Sequence, residues 1–386
     1  TVLSFALYPY VYIITMDGFG SISNNFILAS KSMGHNSLQI LSKVILPYSR
    51  PWIMAGAGIV LLETLADFGA VSVFNYDTFT TAIYSAWSSF FSIASAARLS
   101  IFLLVMALIV FAVEKRMELR TKFYSSCHSP CGEIFFLKSP LKTCAYLFIF
   151  SIIFLTSAFP LFKLISWSLE SFSIEWSDQY IDILKNTVFI GLIASFLTCS
   201  LALGLAFLNK IAPSRLTSVL TSLSLLGYAL PGSLIAVAVF VYASQFANNL
   251  FSKAPIIVLM IGLMIRFIMV GYRQLHSSLK RINPNLEFAA KSLNMKGFTI
   301  LRKIHLPIIS KSMYTALLLI FIEVIKEMPM TLMLRPFEFN TLSVKIYELT
   351  SEGEWERASI AGFILVLTGL IGVVIMEKIK SGSRNE

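Results

Sequence analysis

The sequence predicts an all-α, polytopic membrane protein of about nine helical spans. Three observations carry that prediction. Of 386 residues, 56% are hydrophobic and only 13% charged, and the mean hydropathy is +0.76, whereas soluble domains run near ~45–50% apolar and ~25% charged. The apolar residues fall in long blocks of the ~20 residues that a helical span needs, which the alternating ~10-residue strands of a membrane β-barrel would not show. Finally, the basic residues gather in the breaks between alternate blocks, as they do in helical membrane proteins.

Setting apolar runs against charged or Gly/Pro-rich breaks places spans near residues 1–16, 51–73, 94–113, 144–166, 182–208, 217–245, 254–273, 312–334 and 358–377. The chain opens on Thr1 inside the first of these runs, without a charged leader or a cleavage pattern, and is expected to be a fragment of a longer protein. With the 17–50 loop on the cytoplasmic side, inner loops carry 22 Lys and Arg. The outer ones carry four, namely Lys253, Arg335, Lys345 and Arg357. The positive-inside rule therefore selects this orientation and puts the C-terminus in the cytoplasm. Outer segments are acidic, with Glu170, Glu175 and Asp178 in one and Glu338, Glu348, Glu352, Glu354 and Glu356 in another. The net charge of +10 thus reports topology, and nucleic-acid binding is not expected.

The four cysteines, Cys127, Cys131, Cys144 and Cys199, lie on inner loops or in spans, where no disulfide framework is expected. Cys127-His128-Ser129-Pro130-Cys131 has a hint of metal-ligand spacing but no second Cys/His pair to complete four ligands. No Gly-x4-Gly-Lys-Ser/Thr phosphate loop is present, so ATP would be handled by another chain.

Comparison of the chain with itself exposes a duplication. Residues 28–47 and 288–307 align without a gap and share eight of 20 residues: Ala29/Ala289, Lys31/Lys291, Ser32/Ser292, Ile40/Ile300, Leu41/Leu301, Lys43/Lys303, Leu46/Leu306 and Pro47/Pro307. The same offset pairs Glu63 with Glu323 and Asp67 with Glu327, and a shift of three pairs Tyr84 with Tyr347. Each copy reads as two short helices joined by a turn. Asn283 can cap the first helix of the second copy with Pro284 at its first position. Gly34 supplies a left-handed turn residue, and its counterpart Asn294 is the next most tolerant type. Pro47 and Pro307 are expected to stop the second helix before the next span. A loop lying on lipid needs one apolar and one polar face, and not the same residues in the same places. A protein partner that is itself duplicated explains the match better.

Both copies resemble the EAA loop of ABC-importer permeases, which runs Glu-Ala-Ala, then Gly, then Ile-x-Leu-Pro. The second copy carries it as Glu287, Ala289, Ala290, Leu306 and Pro307, with Asn294 at the glycine. The first carries it as Ala29, Gly34, Ile45, Leu46 and Pro47, with Ile27 at the acid. The flanking stretches 63–70 with 78–84, and 326–337 with 341–348, look like those of fused two-repeat permeases for ferric iron. The resemblance implies the type I ABC importer (MetI-like) transmembrane fold, N-terminally truncated here from about twelve spans. Residues 1–113 would be the last part of the first permease repeat, 114–143 a cytoplasmic linker, and 144–386 a complete second repeat. It also implies a transport subunit and not an enzyme, in a bacterial inner membrane, with no cofactor of its own. Its partners would be two copies of an ABC ATPase, which bind ATP and dock on loops 25–47 and 285–307, and a periplasmic iron-binding protein.

Glu63 with Asp67, and Glu323 with Glu327, are four apart and are expected to share a helical face. An ionised carboxylate in hydrocarbon must be paired or hydrated, so these acids should face the bundle interior or a wet cavity. They would either line a translocation path, where Fe3+ prefers oxygen ligands, or pair helices structurally, as Lys326 could do for Glu323. A stable metal site is not expected, since tight binding slows release. Pro329 and Pro231-Gly232 would break helices, either along a pathway or as packed kinks. Related permeases for thiamine, sulfate, polyamines or phosphonates share the EAA loops, and a non-functional remnant of such a permease would keep them too. An ion-coupled secondary transporter would not need duplicated loops.

Overall fold

The computed structural model describes residues 1–22, 24–124, 140–246, 250–295 and 297–381. Cys127 to Cys131 and half of the 114–143 linker, residues 125–139, lie outside them. Every regular element among the described residues is helical. In chain order these are α1 (Val2–Gly20), α2 (Asn24–Ser32), α3 (Ser37–Ile40), α4 (Leu46–Ala66), α5 (Gly69–Val73), α6 (Phe79–Ser88) and α7 (Ile93–Tyr124). Next come α8 (Leu141–Ile153), α9 (Phe159–Glu175), α10 (Asp178–Ile211), α11 (Arg215–Ala229), α12 (Gly232–Val241), α13 (Leu250–Lys253) and α14 (Pro255–Lys280). The chain finishes with α15 (Pro284–Ser292), α16 (Gly297–Ile300), α17 (Leu306–Ile325), α18 (Pro329–Leu334), α19 (Leu342–Ser351) and α20 (Trp355–Ser381). Among the described residues eight stretches can cross a membrane by length and composition, and a ninth results if α11 and α12, bent by 118°, are counted as one span.

Three expectations need correcting. Pro47 and Pro307 do not stop a helix. Each lies in the first turn of a long helix, α4 or α17, directly after a five-residue π-helical turn, Leu41–Ile45 or Leu301–His305. A proline ring collides with the carbonyl four residues back in an α-helix. The wider π-turn, in which the Leu46 and Leu306 amides reach back to the Leu41 and Leu301 carbonyls, lets the chain continue. The spans expected at 51–73 and 312–334 end early, at Ala66 and Ile325, and each is followed by a break and a short helix, α5 or α18. As a result Asp67 is the C-cap of α4, its ψ of 130° turning the chain away after it, and Glu327, between α17 and α18, does not continue the helical face of Glu323. The Pro231-Gly232 pair is a true break and not a packed kink, because Leu230 is extended and α12 starts afresh after Pro231.

The chain divides into two compact units, residues 1–67 with 102–163, and residues 68–101 with 164–386. In the first, α1 packs along α4. A Cβ at Gly56 would lie 2.9 Å from the Val11 backbone, so the small residue sets how closely these helices cross. In the second, α10, α14 and α17 pack on one another, α20 covers α17, and α12 lies against α6, α14 and α18. Leu259, Leu263, Phe267, Leu275 and Ile320 are buried along these contacts.

Candidate functional site

The two loops are built alike, each within its own unit. In the first, α2 ends at a turn whose hydrogen bonds run from Met33 N–H to the Ala29 carbonyl (3.1 Å) and from His35 N–H to the Ser30 carbonyl (3.2 Å). In the second the counterparts run from Leu293 to Ala289 (3.2 Å) and from Met295 to Ala290 (3.1 Å). Gly34 has φ +81° and Asn294 φ +54°, the left-handed conformation expected for both. Asn36 then caps α3, its side chain accepting from the Gln39 amide (2.9 Å) while Gln39 returns an acceptor to Asn36 (3.0 Å). Asn283 accepts from the Asn285 amide at 3.0 Å at the start of α15.

Each copy has an inward and an outward face. Ile27, Ser30 and Ile40 point inward in the first, and Glu287, Ala290 and Ile300 in the second. Outward stand Leu28, Ala29, Met33 and Leu38, matched by Phe288, Ala289, Leu293 and Phe298. The match is quantitative: Met33 and Leu293 are 75% and 76% exposed, Leu38 and Phe298 76% and 74%. Lys31, Gly34 and Leu46 are also exposed in the first copy, with Pro47 partly covered; Asn294 and Pro307 are exposed in the second, with Leu306 partly covered. Motif reading missed the four apolar tips. Their signal was there, as large apolar residues at equivalent positions of both loops.

Glu287 faces the protein. Its Oε1 receives Lys210 Nζ at 2.7 Å and lies 3.1 Å from Nε2 of the fully buried His305. Burial by itself raises the Glu287 pKa, but the hydrogen bond and charge of Lys210, reinforced by His305, outweigh it and hold the carboxyl below its ordinary value.

The intramembrane acids separate by environment. Glu63, in the last turn of α4, and Asp67, just beyond it, are half-buried and engaged by other groups. Glu323 pairs with Lys326 at 2.9 Å, as the spacing predicted, and Lys326 is 54% exposed. Glu327 is 6% exposed and pairs with Arg266 of α14, whose Nε lies 3.3 Å from Oε2. A Cβ at Gly232 would collide with both the Glu327 carboxylate and the Arg266 guanidinium. Only glycine at the start of α12 leaves room for the pair. Arg266 went unnoticed in the sequence, although a lone arginine in an apolar span must find a partner. The duplicated tyrosines meet, the Tyr84 and Tyr347 rings standing edge to face at 5.7 Å, with Phe68 5.5 Å from Tyr84. Among the described residues no three His, Cys, Asp or Glu side chains come together as a metal cluster.

Residues 1–122 match the family model described as binding-protein-dependent transport system inner membrane component. The chain is similar to ABC-importer permeases. It is 28% identical over 382 residues to the Fe(3+)-transport system permease protein FbpB 2 of Haemophilus influenzae, covering 98% of this chain and 75% of the relative. It is 24% identical over 408 residues to the ferric transport system permease protein FbpB of Actinobacillus pleuropneumoniae, covering 99% of this chain and 58% of that protein. Among solved structures, a bacterial ABC transporter involved in the import of the acidic polysaccharide alginate superposes with a TM-score of 0.50 at 17% identity, over 64% of this chain and 95% of that one. That likeness speaks for the fold.

Proposed function

We propose that this permease carries ferric iron across the bacterial inner membrane, receiving it from a periplasmic iron-binding protein and driven by ATP hydrolysed on two copies of a separate ATPase subunit. The observation that carries the reading is the pair of loops at 25–47 and 285–307, with the same turn, a left-handed residue at the same position and exposed apolar tips at equivalent positions. A surface offered twice suits a partner present twice. On this reading ATP stays on the partner, this chain holds no cofactor, and its C-terminus is cytoplasmic. Iron as cargo is supported by relatives that align along nearly the whole chain. Glu63, Asp67 and Glu323 would touch the passing Fe3+, a hard cation suited to carboxylate oxygen. Glu327, buried against Arg266, acts as a structural partner instead.

The test is co-expression of the permease with its ATPase subunits and binding protein in a cell lacking its own iron permease. The Met33→Glu, Leu293→Glu double variant should accumulate normally, lose co-purifying ATPase and abolish uptake of radiolabelled ferric iron. Undiminished co-purification would overturn the docking assignment. Uptake of sulfate or thiamine by the parent, without iron, would overturn the substrate.

A further inference from the structure

The two loops share a backbone but are fastened differently. In the first copy the inward positions are Ile27 and Ile45, both apolar; in the second the same positions are Glu287 and His305. Both positions differ between the copies, and in the second Lys210 and His305 meet on one carboxylate, that of Glu287. Lys210 stands one residue from the end of α10 and also donates to the Leu279 carbonyl at 2.6 Å, one residue from the end of α14. Two helix C-termini, each carrying negative partial charge, therefore meet at the same ammonium group. Next to it, the Asn209 amide donates to the Tyr272 hydroxyl at 2.8 Å, a second tie between α10 and α14. The His305 ring, in the π-turn that leads into α17, packs edge to face on Phe207 of α10 at 5.6 Å. One carboxylate on α15 is thus joined to the ends of α10 and α14 and to the start of α17, the three helices at the centre of this unit.

We propose that Lys210 is the positioning residue of the second loop: through Glu287 it locks α15 to the ends of α10 and α14, so that a displacement of α15 by its partner is passed into the transmembrane core. The proposal rests on the docking reading above. The first loop needs no such lock at the corresponding positions, since isoleucines fill them. A buried ion cluster is weak evidence for stability in itself, because a well-packed apolar set can replace it, whereas removal of one member leaves an uncompensated charge. The duplication supplies that apolar set.

The experiment uses the permease assembled with its ATPase subunits and binding protein in proteoliposomes, and the purified permease for hydrogen exchange. Lys210→Met should raise amide exchange in α15 about tenfold and leave α2 unchanged, as expected when one member of a partly buried pair is removed. ATPase should still co-purify and hydrolyse ATP, while substrate moved per ATP falls about tenfold, the uncoupling expected when α15 no longer shares the core's two arrangements. Lys210→Arg, which keeps charge and reach, should match the parent. The triple variant Lys210→Met, Glu287→Ile, His305→Ile should regain α15 protection and the parental transport-to-hydrolysis ratio. Unchanged α15 exchange in Lys210→Met would overturn the proposal, as would loosened α15 with an unchanged ratio, the mark of a purely structural residue. If Lys210→Met does not accumulate, the triple variant decides: accumulation with the parental ratio supports the lock, and failure of either overturns it. A parent that holds no ATPase would count against the docking reading, and the exchange comparison would still decide whether Lys210 fixes α15.

Discussion

Replacing Glu327 by Met removes one member of the pair with Arg266 in a place where neither is well solvated, the two side chains being 6% and 14% exposed. The guanidinium stays behind uncompensated, which costs about 3–5 kcal/mol for a buried pair broken on one side. At 2–4 °C per kcal/mol, the midpoint of heat-induced loss of the monodisperse detergent-purified protein should fall by roughly 6–20 °C. Arg266→Met with Glu327→Met removes both charges and puts two apolar chains of similar reach in their place. That double variant should sit within about 1–2 kcal/mol of the parent. Glu323→Met is the control: its partner Lys326 is 54% exposed, and such a pair is worth at most about 1 kcal/mol. Gly232→Ala should resemble the single Glu327 variant, because the added Cβ takes the space that the pair occupies. Equal losses for the single and double variants, or a Glu327→Met protein as stable as Glu323→Met, would refute the reasoning.

Gly34→Val should weaken ATPase co-purification, since φ +81° is strained for a β-branched residue by about 1–2 kcal/mol although its Cβ meets nothing; Asn294→Gly should leave co-purification intact. The Glu63→Gln, Asp67→Asn double variant should keep expression and ATPase docking but lower ferric uptake, and normal uptake at normal expression would remove both residues from the path. Acid should loosen α15. Glu287 has a depressed pKa in the folded protein, so its pairing with Lys210 and His305 stabilises above the free carboxylate's ~4.3 and is lost as pH falls through the lower folded value. Hydrogen exchange in α15 measured from pH 5 downward should show that loss, and Glu287→Gln should abolish this part of the pH dependence.

The local chemistry of the loops was legible because it lies within a few residues. A glycine or an asparagine at the left-handed position and an asparagine ahead of α15 mean the same thing in any context. Position 67 shows where such reading stops. Four residues after Glu63 in an apolar run, Asp67 reads as the same helical face. Hydropathy, however, does not register that α4 is capped by Asp67 itself, whose ψ of 130° turns the chain away, so the apolar run continues past a helix that has ended. Pro47 misled for a related reason, because the rule that proline ends an α-helix is silent about a π-turn placed just before it. The partners of Glu327 and Glu287 come from α14 and α10, distant in sequence, and only packing brings Arg266 and Lys210 to them. The near partner, Lys326, was legible because its pairing needs no tertiary fold.

The contrast between the faces of the two loops also bears on what kept them alike. Outward positions are large and apolar in both copies, and Met33 with Leu293 and Leu38 with Phe298 agree in exposure too. Inward positions agree at Ile40 and Ile300 and diverge at Ile27 and Glu287. A loop held alike only by descent would have no reason to diverge on the buried side, where substitution costs most, while preserving large apolar residues at three-quarters exposure. Such residues cost solubility unless something covers them. The pattern follows if each loop answers to two surfaces, an interior that belongs to its own repeat and a partner that is the same for both.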